Sequence, residues 1–170
     1  MTGFIEEDGF EEEEDTQRGR FLTFMADGNT YGLPIRFVTE IIGMQTPTKI
    51  PETPDYVKGI INLRGRIIPL VDVRLKFGKA GIAYTKRTCI IVIDVNSITI
   101  GLVVDLVDDV LKIEDSQIAL PPPEGTLGFE NRYIEGVGRL EDKVVLLLDA
   151  EKLLKTEEMD IIESITANNA

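Results

Sequence analysis

The sequence predicts an all-β protein built from two small five-stranded barrels. Three observations carry that prediction. Apolar, β-branched runs of five to seven residues recur along the chain, the length and composition of strands. Turn chemistry separates them. A register of matching residues then repeats the first half of the chain in the second. At 170 residues and 43% hydrophobic composition, the chain has enough apolar side chains for a sizeable core.

In chain order, residues 1–17 come first and read as a disordered acidic tail. They hold eight acids and no base, and self-repelling carboxylates do not bury a core. A single domain over 18–152, made of two intertwined barrel subdomains related by an internal repeat, is expected to follow. Its strand runs are 21–25, 89–93, 98–104 and 144–148, bounded by Asp27-Gly28-Asn29, Asn96-Ser97 and Glu141-Asp142. Arg64-Gly65 lies between Ile60-Ile61 and Ile67-Ile68 and reads as a further hairpin turn. Pro69 has no N–H for a ladder, which predicts a strand end or an edge. Helices are few. Residues 73–77 read as one helical turn stopped by Gly78, and 153–165 as a C-terminal helix with Thr156 as N-cap.

The repeat gives these runs an order. Shifted by 69, residues 21–44 fall on 90–113, and Thr30, Gly32, Leu33 and Val38 meet Thr99, Gly101, Leu102 and Val107. Shifted by 77, residues 56–77 fall on 133–154, and Tyr56, Gly59, Leu63, Leu70 and Asp72 meet Tyr133, Gly136, Leu140, Leu147 and Asp149. The change of offset places eight extra residues in the second copy, near the Pro121-Pro122-Pro123 loop. Two copies of a five-strand unit fit small closed barrels, in which closure removes exposed edges. A groove between two such barrels is a natural docking place.

Composition narrows the function classes. With no His, the chain lacks the usual general base and the commonest metal ligand. One Cys, Cys89, excludes an internal disulfide and a Cys-cluster zinc site. Cys89 opens an apolar strand run and reads as an inert thiol. Gly136-Val137-Gly138 begins like a dinucleotide loop, but Glu141 stands where the third Gly belongs. Asp105, Asp108 and Asp109 have the chemistry to hold a hard cation, yet their repeat counterparts are Arg36, Thr39 and Glu40, so a solvated face is expected. No catalytic, metal or cofactor site is predicted.

The net charge of −12 is unevenly placed. Residues 58–87 carry eight bases against one acid, an expected contact for an acidic protein surface. Nucleic-acid binding is not expected, because the surrounding field is acidic and aromatic residues are only 6% of the chain. A phosphoacceptor domain would require alternating strands and helices. No run reaches the roughly 18–20 apolar residues of a membrane helix, and the acidic start is unlike a signal peptide. A cytoplasmic location without membrane insertion is expected.

The stretch Gly59-Ile60-Ile61-Asn62-Leu63-Arg64-Gly65, followed by Pro69-Leu70-Val71-Asp72, resembles the signature of CheW-type chemotaxis coupling proteins. Further matches lie at Tyr31–Ile35, Val38–Ile41, Gly101–Asp105 and Glu151–Leu154, and only the acidic tail falls outside them. The resemblance implies two SH3-like β-barrels around a shared hydrophobic centre. It also implies a non-enzymatic adaptor between the cytoplasmic tip of methyl-accepting chemoreceptors and the regulatory domain of the histidine kinase CheA, within membrane-associated receptor array rings. The receptor's helical hairpin would dock in the groove between barrels. Carried over by motif, the receptor-binding residues are Val38, Glu40, Gly59, Asn62, Arg64 and Val107, and the kinase-binding candidate is Lys58. Each also has a structural reading. Val38 and Val107 are apolar enough for core, and Gly59 has Gly136 as its counterpart. Arg64 differs, because Glu141 occupies its place in the second copy. A detached kinase-type regulatory domain, or a coupling protein for another output such as pili, is the alternative that the same residues leave open.

Overall fold

Tight turns set the strand pattern. Asp27 and Gly28, Arg64 and Gly65, and Asn96 and Ser97 all have positive φ, the backbone that two-residue hairpin turns require. They join β1 (Arg20–Ala26) to β2 (Asn29–Pro34), β4 (Val57–Leu63) to β5 (Arg66–Asp72), and β6 (Cys89–Val95) to β7 (Ile98–Val104). The remaining strands are β3 (Val38–Gly43), β8 (Leu106–Lys112), β9 (Ile118–Ala119), β10 (Ile134–Arg139) and β11 (Val144–Leu148). The structure is a computed structural model and describes residues 17–123, 132–154 and 164. All but Gln17 of the predicted tail over 1–17, the end of the proline-rich loop and most of the predicted helix over 153–165 lie outside those residues.

Two sheets form, with strand orders β8-β1-β2-β11-β10-β9 and β3-β6-β7-β5-β4. Under the 69 and 77 offsets these are the same order, apart from the two-residue β9. Each sheet nevertheless draws strands from both halves of the chain. β3 leaves the first half to pair with β6, and β8 returns from the second half to pair with β1. The parallel pairing repeats as well: Leu70 opposes Gly101 and Leu147 opposes Gly32. A chain extension closes each sheet on itself. Thr48 exchanges both backbone hydrogen bonds with Ile60 of β4, and β9 pairs with β10 at the corresponding place.

Both faces of the central strands are covered. Along β6, Ile90 and Val92 point into a cluster with Ile61, Ile68, Leu70 and Val103, while Ile91, Ile93 and Val95 point into a larger one with Phe24, Leu33, Leu102 and Leu148. Phe21, Ile113, Val145 and Leu147 form the interior of the other sheet. The larger cluster takes side chains from both sheets, so it is the shared centre, and the two smaller ones are the sheet interiors. This double burial is why the sequence runs are continuously apolar rather than alternating.

The short helix appears where expected, as α1 (Val73–Lys76), with Gly78 at φ 75° just beyond its C-cap Phe77. Buried Asp72 caps it, its side chain accepting from the Leu75 N–H. Asp149, the repeat counterpart, accepts from the Lys152 N–H and starts α2 (Ala150–Leu154). That helix begins three residues before the predicted start and packs Leu153 and Leu154 into the shared centre. Pro69 departs from expectation. It lies within β5, an inner strand, opposite Ile60 of β4. It is tolerated because pairing with β7 begins only at Leu70, leaving no partner on that side for the missing N–H.

Candidate interaction surface

Arg64 is an exposed residue among the predicted contacts, and neighbours fix its environment. Its φ of 51° is unusual for a side chain larger than Asn or Asp. Asn62 holds the turn, its Oδ1 accepting from the Gly65 N–H at 2.8 Å. The Arg64 guanidinium donates to Glu40 on β3 and forms an ion pair with it, with the Arg64 side chain still 71% exposed. β3 and β4 are opposite ends of their sheet, so this pair spans the seam of the closed sheet. The other Glu40 oxygen, Oε1, is buried without a hydrogen-bond partner among the described residues. Glu40, Asn62 and Arg64 are therefore brought together by hairpin and seam.

Val38 is the first residue of β3 and Val107 the second of β8, the end strands of different sheets. Val38 pairs with Ile93 and Val107 with Phe24, equivalent positions under the repeat. Both are half-buried against the shared centre, so the docking and core readings describe two sides of the same residues. Three residues along each strand, Ile41 and Val110 are each 44% exposed. Gly59 is different in kind. It is buried, at φ 133°, and a Cβ there would lie 2.7 Å from the Thr48 carbonyl carbon. The backbone that approaches Gly59 is the chain's own. Lys58 is half-buried on β4 and makes no ion pair among the described residues.

The aspartates of the predicted surface face are separately engaged. Asp105 binds Arg74 through both its oxygens, at 2.8–3.0 Å, and Arg74 also reaches Asp27 at 3.2 Å. The hydrogen bonds to Asp105 push the Arg74 guanidinium further above its ordinary range. Asp109 accepts through its backbone oxygen from the Thr23 hydroxyl, and Asp108 faces Lys143 at 3.6 Å. Among the described residues no group of acidic, His or Cys side chains is arranged to hold a metal ion.

One feature escaped the sequence reading. The rings of Phe24, Tyr31, Phe77 and Tyr133 form a file with centroids 5.3–5.6 Å apart. The last three line a cavity of about 460 Å³ together with Lys76, Lys79 and Arg132. Burial pushes the Tyr31 phenol above its ordinary pKa. The Tyr56–Tyr133 repeat match was the available signal, and composition alone did not connect it to Tyr31 or Phe77.

Comparison with known proteins agrees with this architecture. The CheW-like domain family matches residues 20–158. The chain is 39% identical to the chemotaxis protein CheW of Klebsiella aerogenes over 149 residues, covering 88% of this chain and 89% of that one. It is 34% identical to the chemotaxis protein CheW of Helicobacter pylori over 149 residues, with coverage of 88% and 89%. The crystal structure of the scaffolding protein TtCheW from Thermoanaerobacter tengcongensis superposes with a TM-score of 0.75 at 34% identity, covering 82% of this chain and 94% of that one.

Proposed function

The chain belongs to the CheW-like family, and from that premise we propose that it is a non-enzymatic chemotaxis scaffold that couples chemoreceptors to a CheA-type histidine kinase. In this reading the cytoplasmic hairpin tip of a methyl-accepting receptor docks between the two barrels, and the regulatory domain of the kinase binds elsewhere on the chain. The assembly is recruited to receptor array rings beneath the membrane. Among the described residues no helix is long and apolar enough to cross a membrane, so recruitment would act through these partners.

The observation that carries the reading is the exposed Arg64, fixed at a left-handed turn by Asn62 and Glu40. A turn needs no Arg at that φ. A planar guanidinium held there can grip a carboxylate or a helix-end carbonyl of a partner with two parallel hydrogen bonds. Val38 and Val107 supply apolar area for the face of a helix. Glu40 orients Arg64, Asn62 holds its turn, and Gly59 acts indirectly by letting the Thr48 segment close against β4. Lys58, on the same strand and without an ion pair among the described residues, is assigned to the kinase side.

The test is a three-component pull-down of this chain with a CheA regulatory domain and a receptor cytoplasmic fragment. Wild type should bridge the two. Arg64→Asp and Val38→Asp should lose receptor while retaining kinase. Kinase binding without receptor binding by the wild type would remove the groove assignment, and binding to neither partner by folded protein would remove the coupling role.

A further inference from the structure

The aromatic file ends in a cavity whose described walls carry cations. Among its described lining residues three are cationic, Lys76, Lys79 and Arg132, and none is acidic. Lys76 lies 4.3 Å from the Tyr56 ring centroid and 5.4 Å from that of Tyr133, so its charge sits over ring faces at the cavity wall. Tyr31, Phe77 and Tyr133 give the same cavity an aromatic wall. Such a site suits a ligand that carries several carboxylates beside an apolar group.

The chain has a segment of that description. Residues 6–15 read Glu-Glu-Asp-Gly-Phe-Glu-Glu-Glu-Glu-Asp, eight acids around Phe10 without a base. We propose that this acidic segment folds back in cis onto the cavity bounded by the end of α1, β2 and the entry to β10, with carboxylates facing Lys76, Lys79 and Arg132 and Phe10 against the aromatic wall. The tether permits it. Tyr31 pairs with Phe24, four residues along β1 from Arg20, a span of about 13 Å at the usual strand rise. Gln17 is helical and Arg18 and Gly19 form a turn, so the tether is counted from Gln17; Glu6 lies eleven residues before it, a stretch that can span at most about 36 Å. Residues 155–170 hold only four acids and a Lys, a weaker match to three cations. Because the segment is covalently attached, its effective concentration at the cavity is on the order of millimolar. An external acidic partner would have to displace it.

The test uses the full chain with its native thiol removed by Cys89→Ser and a nitroxide attached through Gly9→Cys. Amide signals of isotope-labelled protein are read at low and high salt. In about 0.01 M salt, signals of Phe77, Gly78, Lys79 and Tyr133 should lose roughly half their intensity or more, and in about 1 M salt, where charges are screened within ~3 Å, they should recover. Lys79→Glu should weaken the low-salt effect. Unchanged cavity signals would overturn the proposal, as would broadening centred on Arg64–Arg66 or Lys86–Arg87. The same broadening in a mixture of nitroxide-bearing unlabelled chains and nitroxide-free labelled chains would assign the contact to a second copy and overturn the cis form. None of these readings involves receptor or kinase, so failure here is distinct from failure of the coupling role.

Discussion

Gly59 and Gly101 show how closely single residues are constrained. A Cβ on Gly101 would meet Ile90 Cγ2 and Leu70 Cδ2 at 2.7 Å, and one on Gly59 would meet the Thr48 backbone at a φ that L-residues avoid. Gly59→Ala should therefore cost about 2 kcal/mol or more of unfolding free energy in urea melts, since it combines strain with a backbone clash. Gly43 faces open space, so Gly43→Ala should leave the melt nearly unchanged. Tyr84 offers a pH-dependent case. Its hydroxyl donates to Asp72 at 2.8 Å, and burial, followed by that bond and the Asp72 charge, pushes its pKa above the usual tyrosine value. A raised folded-state pKa means that this contribution to stability is complete below about pH 10 and is lost as pH climbs further. Stability should fall with pH above about 10, and Tyr84→Phe should reduce that slope in paired melts.

At the scale of elements, two arginines perform different work. Arg74, 15% exposed, ties α1 to the β1–β2 turn and to the entry of β8 through Asp27 and Asp105. Arg74→Ala leaves Asp105 without its two-pronged partner and should cost about 2–3 kcal/mol, with Arg74→Lys recovering only part of it. Arg64 also joins distant elements, β3 and the β4–β5 hairpin, but in the open. Exposed ion pairs contribute about 0–1 kcal/mol, so Arg64→Ala should barely move a denaturation midpoint. That difference makes Arg64 a clean probe of partner binding: a loss of binding there would not be a loss of fold. The roles of Asp72 and Asp149 explain their place in the repeat, since each begins the helix that follows the last strand of its unit.

For the whole molecule, the exchange of β3 and β8 makes each sheet dependent on both halves of the chain. Fragments 1–80 and 81–170 should each remain largely unfolded alone and regain the β spectrum on mixing; two independently folded halves would show that spectrum separately. The intact chain should unfold in a single transition, because the large apolar cluster belongs to both sheets. Much of this was legible in order of residues. Turn glycines and β-branched runs specify hairpins locally, and the repeat specified that the two units would be alike, because duplicated residues meet duplicated environments. Intertwined barrels were expected, but that β3 and β8 are the strands exchanged was not legible: strand pattern is a property of neighbours in the chain, whereas pairing between distant strands is decided by which faces bury together. The site divides the same way. The Gly59–Gly65 stretch pointed to Asn62 and Arg64 directly, as a turn within one hairpin. Their link to Glu40, the closure of Thr48 over Gly59 and the gathering of Tyr31, Phe77 and Tyr133 around one cavity come from tertiary structure alone, since only closing the sheets brings those residues within contact distance.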